Sequence, residues 1–159
     1  MFQCELVGKK ALVVEDDYDQ ACDIMGTLME HGAKVVGPFS ALEECFQYWG
    51  HNLIDAAILD VKVGDATSFP AADRLLSEGI PFLFLTGYDR EIIPSRFQRV
   101  RHYLKPFVGQ DVPIALALVM ASGQKFRRPT QLVPAAQSSA TSAIVNGTGG
   151  EGGYGRRHR

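Results

Sequence analysis

Ala11-Leu12-Val13-Val14-Glu15-Asp16-Asp17 passes from apolar to acidic without a transition, and Asp19 follows two residues later. The apolar half reads as a buried strand. Adjacent carboxylates repel one another and desolvate poorly, so those at its end must be solvated, used as helix caps or neutralised by a cation. Three later runs also stop on a residue with chemistry to offer. Asp55-Ala56-Ala57-Ile58-Leu59 leads to Asp60, Ile80-Pro81-Phe82-Leu83-Phe84-Leu85 ends at Thr86, and "RHYLKPF" turns at Lys105-Pro106.

Helix-length segments separate these runs. Tyr18 to His31 places Ile24 and Leu28, with Cys22 and Met25, on one apolar face, and Gly32 stops it. Asp17 and Asp19 suit the cap and first turn, where acids complement the helix dipole. "AKVVGPF" is a short second strand ended by Gly37-Pro38, after which Ser40 and Glu43 form a capping box for a helix through Trp49. Beyond the loop "VKVGDATSF", Pro70 opens a helix to Glu78 and Gly79 closes it. Pro94 forbids a long helix in "YDREIIPSRFQRV", whereas "DVPIALALVMAS" is a last helix with Asp111 as cap and Pro113 in its first turn.

This alternation predicts an α/β fold, a doubly wound five-stranded parallel sheet with a shortened or irregular fourth helix. Such sheets bind ligands beyond the carboxyl ends of their strands. Glu15, Asp16, Asp60, Thr86 and Lys105 all stand there, although 44 residues separate Asp16 from Asp60.

At 159 residues, 46% hydrophobic and 21% charged, the chain suits one soluble domain with a core. Cys4, Cys22 and Cys45 form no CxxC pair and are odd in number, which argues against a disulfide framework or zinc knuckle and for a reducing, cytoplasmic setting. Neither a signal-peptide h-region nor a membrane-length apolar run is present, so no membrane association is expected. From Gly123 to Arg159 the composition turns Gly/Ser/Thr-rich, and this stretch reads as a disordered basic tail after a domain of residues 1–122. The tail carries six Lys/Arg against one Glu, a balance of +5. The body carries ten against seventeen, −7, which excludes it as a nucleic-acid binder on charge grounds.

"VVEDD", "ILDV", "FLTG" and "KPF", in that order over about residues 9–121, resemble the receiver domains of two-component response regulators. The resemblance implies the flavodoxin-like strand order 2-1-3-4-5. It also implies Asp60 as phosphoacceptor, with Mg²⁺ held by Asp16, Asp60 and the Lys62 backbone carbonyl and, through a bound water, by Glu15. Lys105 would offset charge on a phosphoryl oxygen, and the Thr86 hydroxyl would follow the new phosphoryl group. The chemistry requires such a set, because an anionic donor reaches an anionic nucleophile only where a divalent cation and a fixed ammonium offset the charge. The implied partners are a histidine kinase or histidine phosphotransfer protein and an output partner of unknown identity. The implied activity is confined to the chain's own phosphorylation and dephosphorylation, so the chain is not expected to be an enzyme acting on other substrates.

Two departures stand out. Val63 and Gly64 occupy the place where most receivers carry Met-Pro, and Phe84-Leu85-Thr86-Gly87-Tyr88 instead resembles an atypical F-x-T-G-Y subfamily of single-domain regulators. His102 takes the place of the usual switch aromatic, with Tyr103 next to it on the opposite face of the strand. The last helix carries Ile114, Leu116, Leu118, Val119 and Met120, more apolar residues than one face needs; the excess suits core or the surface of a partner or homodimer. A phosphorylation-independent interaction module remains the alternative. A haloacid-dehalogenase-like hydrolase is disfavoured, since it needs an Asp where Lys62 stands.

Overall fold

A computed structural model describes residues 5–88, 90–107 and 110–123, so the tail predicted from residue 123 lies, except for Gly123, outside the described residues. The main-sheet strands are β1 (Lys10–Val14), β2 (Lys34–Phe39), β3 (Ala56–Leu59), β6 (Phe82–Thr86) and β7 (Arg101–Leu104). They form one parallel sheet in the order β2-β1-β3-β6-β7, the flavodoxin-like order. Strands β4 (Lys62–Val63) and β5 (Ala66–Thr67) make a separate antiparallel hairpin soon after Asp60, within the segment read from sequence as loop.

Helices α1 (Tyr18–Glu30), α2 (Leu42–Trp49), α3 (Phe69–Glu78) and α4 (Asp111–Ala121) complete the two layers. One face of the sheet packs Leu12, Leu59, Phe82 and Phe84 against Cys45, Trp49, Leu75 and Phe97. The other packs Val13, Ile58, Leu83 and Leu85 against Ile24, Leu28, Leu116 and Val119. Both faces being covered explains why the central strands are near-continuous apolar runs. The connection holding Pro94 contains two short 3₁₀ turns, Arg90–Ile92 and Ser95–Phe97, in place of a helix.

Local expectations fare unevenly. Asp17 caps α1, its carboxylate accepting the Gln20 N–H at 3.0 Å, and Gly79 closes α3 in the left-handed region. The strand expected to end at Gly37-Pro38 runs on to Phe39. Gly37 sits at φ +113°, where a Cβ would stand 2.6 Å from the Val13 carbonyl oxygen, and three β2 residues span two of β1. Glycine and an edge position make this bulge and the following proline tolerable.

The expected Ser40–Glu43 capping box does not form. Ala41 is the N-cap, without a side-chain hydrogen bond, which leaves Ser40 outside the helix and moves Glu43 to the second helical position. Asp111 is the first residue of α4 rather than its cap, which is Gln110. Cys22 is exposed, whereas Ala21 shares the buried face of α1 with Ile24 and Leu28. The apolar excess of α4 divides: Leu116 and Val119 are buried, while Ile114 and Leu118 lie one turn apart at the surface.

Candidate functional site

Strand register brings the acidic residues together. Val14 pairs with Leu59, so Glu15 and Asp60, the next residue on each strand, emerge side by side. Their backbones are fixed by the Asp60 N–H donating to the Val14 carbonyl at 2.9 Å and the Glu15 N–H donating to the Phe39 carbonyl at 3.0 Å. Asp16 joins them from the exposed side, and carboxylate oxygens of Glu15, Asp16 and Asp60 lie within 4.8 Å of one another.

Lys105 enters from the end of β7. Its Nζ donates to Glu15 Oε2 at 2.5 Å and to Asp60 Oδ2 at 2.9 Å. Burial disfavours the ammonium, but the hydrogen bonds to Glu15 and Asp60 outweigh it and hold the Lys105 pKa above its ordinary value. Burial likewise raises the Glu15 pKa, more than the Lys105 ammonium and the Asp17 N–H lower it. The ammonium supplies one charge to a cluster of three carboxylates.

The donor set fits a hard divalent cation. Asp60 Oδ1 is buried and has no hydrogen-bond donor among the described residues, although the other oxygen of the same carboxylate is held by Lys105. Such an atom costs free energy unless a ligand reaches it. All the converging donors are oxygens, as Mg²⁺ prefers.

Sequence reasoning missed one contributor. The Gly64 N–H donates to Asp16 Oδ2 at 2.9 Å, so the unforeseen hairpin turn orients an acidic residue 48 positions away. Gly64 has φ +60°, and "VGD" is a turn signal that would have located the bend but not its partner. Ser68 is fully buried just before α3, its Oγ also without a hydrogen-bond partner among the described residues.

Thr86 is buried at the end of β6, which flanks β3 on the side away from β1. Its hydroxyl accepts the Tyr88 N–H at 3.3 Å, and its carbonyl accepts the Lys105 N–H at 2.8 Å. His102 Nε2 stands 3.2 Å from the Tyr88 carbonyl oxygen. A carbonyl only accepts, so Nε2 carries the proton in this bond. Tyr103 points to the other face and packs on Phe107 with ring centroids 4.9 Å apart. Lys62 opens β4 and lies 6.0 Å from the Tyr88 ring centroid across the mouth of the site. Beside Lys105 a groove of about 430 Å³ is lined by Gln20, Asp23, Ile24, Leu85, Phe107 and Val112.

No family profile matches the sequence, and no curated protein does. Solved structures do. The solution structure of SdrG from Sphingomonas melonis Fr1 is 30% identical with a TM-score of 0.63, over 72% of this chain and 97% of SdrG. A CheY-like response regulator receiver domain protein from Methanospirillum hungatei JF-1 has a TM-score of 0.64 at 19% identity, over 74% of this chain and 98% of its own. The response regulator PhyR from Brucella abortus matches at 0.65 and 18% over 76% of this chain, which spans only 51% of PhyR. Among the described residues, no helix is long and apolar enough to cross a membrane.

Proposed function

The chain belongs to the CheY-like response regulator receiver domains, and on that premise we propose that Asp60 accepts a phosphoryl group in a two-component phosphorelay. The observation that carries this reading is the Asp60 carboxylate itself: Lys105 holds Oδ2, and Oδ1 is left bare within a cluster of three acids. An oxygen with a free lone pair beside a cation site and an ammonium is what nucleophilic attack on phosphorus requires.

Asp16 and Asp60 would hold Mg²⁺ directly, the Lys62 carbonyl would add a third oxygen, and Glu15 would act through a bound water. The cation, when bound, offsets charge on the phosphoryl oxygens. Asp60 would attack the donor's phosphorus as the P–N bond of the donor's phosphohistidine breaks and its imidazole leaves, and Lys105 would offset negative charge on the transferred group. The Thr86 hydroxyl has an obvious second partner. It accepts the Tyr88 N–H and keeps its own proton free to donate to a phosphoryl oxygen, and Tyr88 is tied through its carbonyl to His102 on β7. His102 therefore links the Thr86 loop to the edge strand in the place where Tyr103, facing the other way, cannot.

The phosphodonor would be a histidine kinase or histidine phosphotransfer protein in the cytoplasm, docking over the groove beside Lys105. Output would pass by contact with a partner or through a homodimer. The resemblance of Phe84-Leu85-Thr86-Gly87-Tyr88 to the F-x-T-G-Y subfamily suits a regulator that works by contact. To test this, the full chain is incubated with acetyl phosphate and Mg²⁺ and its intact mass recorded. One hydroxylamine-labile phosphoryl group is expected on the wild type and none on Asp60→Ala. An unmodified wild type, or a modified Asp60→Ala, would overturn the reading; partner capture indifferent to Asp60→Ala would favour the phosphorylation-independent module.

A further inference from the structure

β7 is an edge strand, paired only with β6. The Lys105 N–H donates to the Thr86 carbonyl, and Thr86 lies in register with Leu104. In a parallel ladder the residues that bond inward alternate with those that bond outward. Arg101, Tyr103 and Lys105 therefore turn their peptide groups toward β6, and His102 and Leu104 turn theirs away from the sheet. Among the described residues no backbone hydrogen bond occupies that outer row.

A groove of about 400 Å³ runs along the segment, lined by Gln98, Arg99, Val100, Arg101, His102 and Tyr103. Its charge is opposite to that of the body, which carries −7 through Ser122. Arg96, two residues before this segment, is already committed to Asp73 through bonds of 2.8 and 3.1 Å. Arg99 and Arg101 are exposed and have no carboxylate within ion-pair reach among the described residues. Arg99, in the turn that leads into β7, and Arg101, the first residue of the strand, place two positive charges at the head of this edge.

We propose that the outer edge of β7 binds an extended acidic segment of a protein partner as an added strand. Backbone pairing to His102 and Leu104 supplies the register, and Arg99 and Arg101 select the charge. The same arginines repel a second copy of this edge, which is how edge strands ordinarily avoid self-pairing. That excludes a homotypic strand pair and leaves a partner of opposite charge as the occupant that fits. The proposal does not rest on phosphorylation of Asp60.

The probe is a capped peptide of alternating Glu and Val, added to the full chain, with amide hydrogen exchange followed by NMR. Saturating peptide is expected to slow exchange at the His102 and Leu104 amides by about tenfold or more. Methylating alternate peptide nitrogens, or introducing Arg99→Glu with Arg101→Glu, is expected to weaken binding about tenfold or more. Arg99→Gln with Arg101→Gln serves as a milder pair should the reversal disturb folding. Equal binding of the N-methylated peptide would reveal charge attraction without strand addition and overturn the proposal. So would an absence of protection at these two amides, or binding unmoved by both arginine pairs.

Discussion

The central strands and the edge strand contribute to the same site in opposite ways. Every residue of β3 and β6 is buried, as are four of the five in β1, whereas β7 has two exposed residues and two half-buried ones. Glu15, Asp16 and Asp60 thus hang from a scaffold with little room to move. Lys105 and the Tyr88–His102 link hang from a strand with solvent on one side. A chain that works as proposed would hold a metal in fixed geometry and also change its surface when phosphate arrives. On the function proposed above, the strands packed on both faces would serve the first task and the strand at the margin the second.

Truncations on the two kinds of strand should make that contrast measurable. Phe84 is fully buried in β6, in edge-to-face contact with Phe69, Phe82 and Phe97, and Phe84→Ala should cost about 3–5 kcal/mol in denaturant unfolding. Leu104→Ala on β7, where the side chain is 49% exposed, should stay within about 0.5 kcal/mol. Similar losses at the two positions would break the comparison.

Gly37→Ala should cost upwards of about 1 kcal/mol in the same experiment, because a Cβ would collide with the Val13 carbonyl just before Glu15. Asp17→Ala removes only the α1 cap and should cost about 1 kcal/mol, with Mg²⁺ binding retained, if Asp17 is no metal ligand.

The smallest effect concerns titration. Burial pushes the Cys45 thiol up to about 11 from its ordinary 9.0, partly offset by Arg74. The native thiol keeps its proton where the unfolded one has lost it, so this contribution to stability is complete below pH 9.0 and disappears as pH rises through about 11. Cys45→Ala should flatten the alkaline limb of a stability profile. In the native wild type a thiol reagent should modify exposed Cys22 well before Cys45.

The sequence discloses the site better than the structure around it. Apolar runs that stop on Glu15, Asp60 and Thr86 are visible because the change in chemistry coincides with the strand end, Lys105 is marked by the Lys-Pro that ends a fourth run, and parallel topology brings such ends to one edge. The hairpin after Asp60 is not visible. Two-residue strands have no periodicity, and only the fold reveals that Gly64 reaches Asp16. Alternation places His102 and Tyr103 on opposite faces of β7, but it does not show that His102 reaches the Tyr88 carbonyl. Ser40 misled because a capping box needs the helix to start at a definite residue, and an extended Ala41 shifts that start by one.

The division of labour is tested most directly by amide NMR spectra of the full chain before and after Mg²⁺ and beryllium fluoride, which together stand in for the phosphorylated carboxylate. The expected result is large shift changes at Thr86 to Tyr88 and along Arg101 to Leu104, small ones within Lys10 to Val14 and Ala56 to Leu59, and none with Asp60→Ala. Changes spread evenly over the sheet, changes that survive Asp60→Ala, or a spectrum that does not respond would contradict it.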